Sequence, residues 1–201
     1  MNKLLIATHN TGKLHEFKLL FSEQAIEIVS AAELKLPDVE ETGQTFIENA
    51  LLKARAACAH SGLPSVGDDS GLVVPSLNGE PGLYSARYAG EHHDSTANIA
   101  KLLDKMKDMQ GDARKAVIIC VMAFLRHADD PMPIIAQGVY ETAIMEEPSG
   151  EGGFGYDPVL WSQEHQCALA EISKEEKNAI SHRGRAMRSL ISQFSPLSSR
   201  T

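Results

Sequence analysis

The chain has 201 residues, of which 43% are hydrophobic and 23% charged; this is globular composition with enough apolar material for a real core, so disorder is not expected outside the termini. That length is long for one core and short for two large domains, so one α/β domain over residues 1–195, arranged in two lobes, is expected. The formal net charge of −8 argues against nucleic acid as a partner, because polymer phosphates need a basic surface, but leaves room for a small phosphorylated ligand.

The opening MNKLLIATHN holds an apolar run too short for a secretory signal, with no cleavage-like segment after it. Leu4 to Thr8 reads as a strand buried on both faces, closed by His9, Asn10, Thr11 and Gly12. A helix with Leu14, Phe17, Leu20 and Phe21 on one side follows. Strand, polar loop and helix in that order begin an α/β unit, and ligands gather beyond the carboxyl ends of such strands. THNTGK lacks the first glycine of a P-loop and has Leu14 where Ser or Thr would meet magnesium, so a kinase-type phosphate loop is not expected. Its hydroxyls, amide, glycine and Lys13 still sit at a helix start, where spare backbone N–H groups attract anions. The alternative is a polar loop with a solvated lysine.

Thr42 to His60 is the clearest helix, with Thr45 and Glu48 at capping-box spacing and Gly62 and Pro64 as stop signals. Its apolar face is read as Phe46, Ile47, Ala50, Ala54 and Ala57, and Thr45, Asn49 and Lys53 form a polar stripe. Val66 and residues 72–74, LVV, flank GDDSG at 67–71, which reads as a strand, a sharp turn and a second strand. Neighbouring side chains in extended chain point to opposite sides, so at most one of Asp68 and Asp69 faces a given ligand directly. With Asp38, Glu40 and Glu41 just before the long helix, the chain offers carboxylates in two places. Magnesium needs only one or two of them, together with water and phosphate oxygens. The alternative reading makes Glu40 and Glu41 solvated loop charges and Asp68 a turn cap.

His92, His93 and Asp94 have metal-ligand chemistry but are not read as a metal site, because neighbouring histidines rarely converge and Asp94 serves as a helix cap. The capped helix carries Ile99, Leu102, Leu103 and Met106 inward, and the apolar run Lys115 to Leu125 fits a central strand covered on both sides. DDPMP at 129–133 turns the chain into IIAQGVYETAIM, a natural antiparallel partner. PSGEGG is too glycine-rich for regular structure and reads as a flexible loop before FGYDPVLW. There, Phe154 and Tyr156 either begin a buried strand or meet a ligand.

In SKEEKNAISHRGRAM, one unbroken helix would turn His182 and Arg183 away from Lys177. A second helix beginning at Ser181 would put His182 and Arg183 in its first turn, beside spare N–H groups able to meet an acceptor-rich ligand. That helix packs Met187, Leu190, Ile191 and Phe194, and the Ser-rich tail from Ser195, residues 196–201, is expected to fray. Strands outnumber a purely alternating pattern, so the sheet is expected to be mixed. Cys58, Cys120 and Cys167 are odd in number and widely spaced, which indicates reduced thiols. No stretch approaches a membrane helix in length, and a cytoplasmic protein is expected.

Taken together, LIATHNTGK, EETGQTFIENALLKA, DDSGL, PGLYSARYAG, GGFGYDP and AEISKEEKNAISHRG resemble the inosine triphosphate pyrophosphatase family. They occur in the family's order over nearly the whole chain, with spacing closest to the bacterial members. The sequence departs at His9, where the family often has glycine. The resemblance implies an elongated mixed β-sheet in two lobes with flanking helices and a central cleft, and a homodimer. It also implies Mg2+-dependent hydrolysis of ITP, dITP and XTP to the monophosphate and pyrophosphate.

By position, the resemblance implies that Thr8, His9, Asn10, Thr11, Gly12 and Lys13 hold the phosphates. Asp69 is then the base and a metal ligand, with Glu40 or Glu41 as the second carboxylate, and Ser70 contacts substrate. Lys53, Phe154, Gly155, Tyr156, Asp157, Lys177, His182 and Arg183 complete the nucleotide site. On this reading Phe154 stacks on a purine, and His182 and Arg183 donate to its six-oxo group, which the amino group of adenine cannot replace. Two alternatives stand beside it. One is a pyrophosphatase for modified pyrimidine or canonical nucleotides, as in the related septum-formation-inhibitor family; the other is a non-catalytic nucleotide sensor of the same fold. Retention of Asp69 with the lysines argues against the sensor, since binding alone needs no base.

Overall fold

The computed structural model describes residues 2–22, 26–90 and 94–194. Among these residues the strands are β1 (Lys3–Ile6), β2 (Glu27–Ser30), β3 (Ser65–Val73), β4 (Lys115–Leu125), β5 (Ile134–Ile144), β6 (Leu160–Ser162) and β7 (Cys167–Ala168). They form one seven-stranded sheet in the order β2-β1-β3-β4-β5-β6-β7. β1 runs parallel to β2, with Leu4 opposite Ile28, and parallel to β3, with Leu5 opposite Ser65. β6 is antiparallel to β5 and to β7. The sheet is therefore mixed, as the surplus of strands predicts. The helices are α1 (Thr11–Leu20), α2 (Phe46–Ser61), α3 (Ser95–Met106), α4 (Lys174–Ile180) and α5 (His182–Phe194).

The chain divides into two compact units, the first drawn from Met1–Asp69, Cys120–Gly138 and Arg183–Thr201 and the second from Ser70–Ile119 and Val139–His182. Each has its own apolar core. In the first, Leu4 and Ile6 of β1 and Phe17 of α1 are fully buried, with Met122 of β4 and Met187 and Leu190 of α5. In the second, Leu102 and Met106 of α3 pack with Leu72, Ile118, Tyr140, Tyr156 and Leu160.

The local signals act as their chemistry requires, with three corrections. Asp94 accepts from Ala97 N at 2.9 Å and starts α3, whereas His92 and His93 lie outside the described residues, as does the tail from Ser195. The long helix begins at Phe46, later than Thr42. Thr45 is its cap, and Glu48 Oε2 accepts from Gln44 N at 2.7 Å, so the capping box closes on the residue before the cap. Ile47 is exposed and Asn49 buried, so the buried face of α2 is rotated from the one that apolarity alone indicates.

The second correction concerns GDDSG, which makes no turn: β3 runs straight through it. Gly67 is there because α2 crosses the strand at close range. A Cβ on Gly67 would lie 2.2 Å from the Ala50 carbonyl oxygen and 2.6 Å from Ala54 N. The third is PSGEGG, which is tied down rather than loose. Ser149 N donates to Pro158 O at 2.8 Å, Gly152 N donates to Ala170 O at 3.1 Å, and Ser149 Oγ bonds the Glu171 carboxylate. Phe154 and Tyr156 precede a 3-10 turn at Asp157–Val159, and the strand β6 begins only at Leu160.

Candidate active site

In the first unit, β3 carries Asp68 and Asp69 side by side, and each meets a lysine from a different helix. Lys13 on α1 lies 2.6 Å from Asp68 Oδ2, while Lys53 on α2 lies 3.4 Å from Asp69 Oδ1. The alternation of a continuous strand accounts for this division. Lys53 also lies 2.8 Å from Glu41 Oε1. Of the two glutamates before α2, Glu41 thus faces the cluster and Glu40 is exposed.

Burial pushes the Asp68 carboxyl up, but the positive charges of Lys13, Lys53 and Arg183 outweigh it and hold the group at about 2. Asp69 behaves in the opposite way. Its burial raises it and the charge of Glu41 adds to that, so it stays above the ordinary aspartate value despite Lys53 and the Asn49 amide. Burial disfavours the Lys53 ammonium, yet Asp68, Asp69 and Glu41 together raise it above the usual lysine value. Two neighbouring carboxylates are thus set apart: one is firmly ionised, and the other is poised to accept a proton.

Among the described residues no group of three or more His, Cys, Asp or Glu side chains forms a metal cage. The carboxylates of Glu41 and Asp69, however, are both directed at one cation, the Lys53 ammonium. That donor set fits magnesium, which takes one or two carboxylates and fills its shell with water and phosphate oxygens.

Along the predicted phosphate loop, Asn10 caps α1 by accepting from Lys13 N at 3.1 Å, and Thr8 Oγ1 accepts from Asn10 N at 3.1 Å. Thr11 and Gly12 form the exposed first turn. His9 takes an unforeseen role: Nδ1 lies 2.7 Å from Asp38 Oδ1 and Nε2 lies 3.0 Å from the Leu36 carbonyl oxygen, linking the loop to the segment after β2. Arg183, in the first turn of α5, is buried and donates to Glu16 Oε2 at 2.9 Å. Glu16 lies three residues after Lys13 on α1, a spacing that puts them on one side of the helix. Glu16 does not stand out in the sequence as a site residue, and Asn49 shows there only as a member of the polar stripe with Thr45 and Lys53; the role of each becomes visible through its partner.

In the second unit, Phe154 is 55% exposed, and Lys177 Nζ sits 4.2 Å from its ring centroid. Lys177 also pairs with the buried Asp157 carboxylate, which in turn accepts from Phe154 N at 2.6 Å. Tyr156 donates from its hydroxyl to Ser85 O at 2.9 Å. The helix does break at Ser181, which is extended (φ −62, ψ 155) between α4 and α5. His182 is buried and lines a small cavity with Lys177, Ile118 and Tyr140. His182 ends the last segment of the second unit, and Arg183 begins the last segment of the first. Ser70 follows Asp69 on β3 and is half-buried.

A mixed α/β sheet protein with a poised carboxylate among lysines is the class these observations define. The chain belongs to the Ham1 family, whose model matches residues 4–193. It is 48% identical over 191 residues to a dITP/XTP pyrophosphatase of Vibrio cholerae, covering 95% of this chain and 96% of that protein. A dITP/XTP pyrophosphatase of Acinetobacter baumannii is 51% identical over 188 residues, covering 92% and 90%. Among solved structures, a HAM1 protein from Coxiella burnetii superposes with a TM-score of 0.92 at 41% identity, over 98% of this chain and 100% of that one.

Proposed function

We infer that the chain is a nucleoside triphosphate pyrophosphatase that hydrolyses ITP, dITP and XTP to the monophosphate and pyrophosphate, removing them from the nucleotide pool. The observation that carries this reading is the Glu41–Lys53–Asp69 cluster, in a chain about half identical to dITP/XTP pyrophosphatases. Water adds across the anhydride between the first and second phosphates. Its oxygen joins one product, and its proton passes to the Asp69 carboxylate, whose raised affinity for protons suits a general base. Lys13, Lys53 and the spare N–H groups at the start of α1 offset the phosphate charge. Mg2+ held by Asp69 and Glu41 would supply further charge neutralisation on the phosphate oxygens.

For the base, Phe154 offers an exposed aromatic face, and the Lys177–Asp157 pair fixes the segment that presents it. His182 and Arg183 are the proposed donors to a six-oxo purine. The working assembly is a homodimer, which sedimentation tests. A cytoplasmic location is supported by the odd number and wide spacing of the three cysteines. Among the described residues no helix is long and apolar enough to cross a membrane.

The deciding experiment measures pyrophosphate release from ITP, dITP, XTP, GTP, ATP and dUTP, with and without Mg2+. The expected result is release from the first three only, and only with the metal. Inorganic phosphate as the first product would overturn the reaction, and a preference for dUTP would favour the pyrimidine alternative.

A further inference from the structure

We propose that Asn49 is a positioning residue for this hydrolysis: one buried side-chain amide orients the Asp69 carboxylate and ties down the loop that carries Glu41. Asn49 is 1% exposed and lies one helical turn before Lys53 on α2. Its Nδ2 donates to Asp69 Oδ2 at 3.1 Å, and its Oδ1 accepts from Gly43 N at 2.8 Å. The orientation of the amide follows from its partners, since an ionised carboxylate only accepts and a backbone N–H only donates.

Asn49 sits beside Ala50 on the buried face of α2, with Ala54 and Ala57 on the following turns. A buried amide there is costly unless both ends are bonded, so both bonds hold it in place. The loop lies directly on it: a Cβ on Gly43 would be 2.7 Å from Asn49 Oδ1 and 3.0 Å from Asn49 N. With Oδ2 of Asp69 engaged by Asn49, rotation of the carboxylate is arrested, and Oδ1 is presented toward Lys53. Glu41 is two residues before the anchored Gly43 and reaches the same lysine. One residue therefore sets the spacing of two carboxylates that come from separate segments of the chain.

The inference rests on Asp69 being the base, and the test separates the two ideas. Asn49→Ala removes both bonds. Asn49→Asp, assayed at alkaline pH, keeps an acceptor for Gly43 N–H but offers no donor to Asp69. Gly43→Ala displaces the loop without touching Asp69. Kinetics of pyrophosphate release from XTP are measured alongside hydrogen exchange at the Gly43 amide.

Both Asn49 variants should lose on the order of 10- to 100-fold in kcat, as supporting groups around catalytic ligands do, with KM little changed. The Gly43 amide should lose protection in Asn49→Ala and keep it in Asn49→Asp. Full kcat in Asn49→Asp overturns the orienting role, and a protected Gly43 amide in Asn49→Ala overturns the loop anchor. If Asn49→Ala does not fold, Gly43→Ala decides the anchor, and unchanged kcat there overturns it. A parent chain that releases no pyrophosphate overturns the proposed hydrolysis instead, and an Asp69→Asn variant that keeps the parent rate overturns the base assignment, while Gly43 exchange still decides the anchor.

Discussion

Lys13 Nζ lies 2.6 Å from the carboxylate of Asp68, which is 1% exposed. The lysine of THNTGK therefore approaches any phosphate as part of a fixed ion pair, and its position depends on a strand far away in sequence.

That pairing makes Asp68 a stability determinant. Its folded value of about 2 lies below the ordinary ~3.9 of aspartate, so folding favours the ionised form. The stabilisation is present above the ordinary value and is lost as pH falls from there through about 2. It amounts to about 2–3 kcal/mol at neutral pH. Asp68→Asn should lower Tm by roughly 4–8 °C at neutral pH, the usual conversion for a chain of this size, with the difference shrinking in acid. Equal Tm values at neutral pH would show that the pair contributes nothing.

Asp69→Asn separates stability from turnover. Losing a general base costs ~100- to 10,000-fold in rate, and the substitution preserves volume. A raised carboxyl stabilises the fold only while protonated, and that contribution is lost as pH rises through its folded value. Above its folded value the carboxylate is thus a cost, and there the metal-free variant should melt no lower than the parent. Retention of more than about a tenth of the parent rate would remove Asp69 from the role of base.

Gly67→Ala tests the crossing of α2 over β3. The new methyl would meet the backbone of Ala50 and Ala54 at 2.2 and 2.6 Å, and backbone atoms inside a helix cannot swing aside as a side chain can. Overpacking of this kind costs ~1–3 kcal/mol or more, so Tm should drop or soluble yield collapse. A variant that melts like the parent would mean that helix and strand can separate without penalty.

Arg183→Met should lower the ratio of kcat/KM for XTP over ATP roughly ten- to hundredfold, the loss expected for a charge-assisted bond to the base. The ratio is the useful readout because Glu16 would lose its buried partner, and any resulting loss of folded protein affects both substrates equally. A uniform fall with the ratio intact would assign Arg183 to the phosphates and leave discrimination to His182 and the Phe154 segment.

Much of this architecture is written in local chemistry. Asn10 before α1, Thr45 before α2, Asp94 before α3 and Ser173 before α4 each accept from a backbone N–H in the first turn, and a capping side chain acts on residues three positions away whatever lies elsewhere. The apolar run of β4 and the break at Ser181 are legible for the same reason. The ordered motifs made the family legible too, and the match over residues 4–193 agrees with it.

Glycine marks where local reading stops. GDDSG looks like a turn because glycine permits one, yet Gly67 is needed for the approach of a helix whose position no neighbouring residue encodes. PSGEGG looks loose, yet it is held by Ala170 and Glu171, which arrive from beyond β6. The sequence alone determined which residues could start helices, which could fill a sheet, and which carboxylates and lysines were available for chemistry. Only the tertiary structure decided that Glu41 rather than Glu40 turns toward Lys53, that Asp68 is held ionised while Asp69 is poised to take a proton, and that Asn49 lies between Asp69 and Gly43. Those outcomes depend on distances of a few ångströms between segments far apart in the chain. Both the reach of a hydrogen bond and the cost of burying a charge are set by such distances.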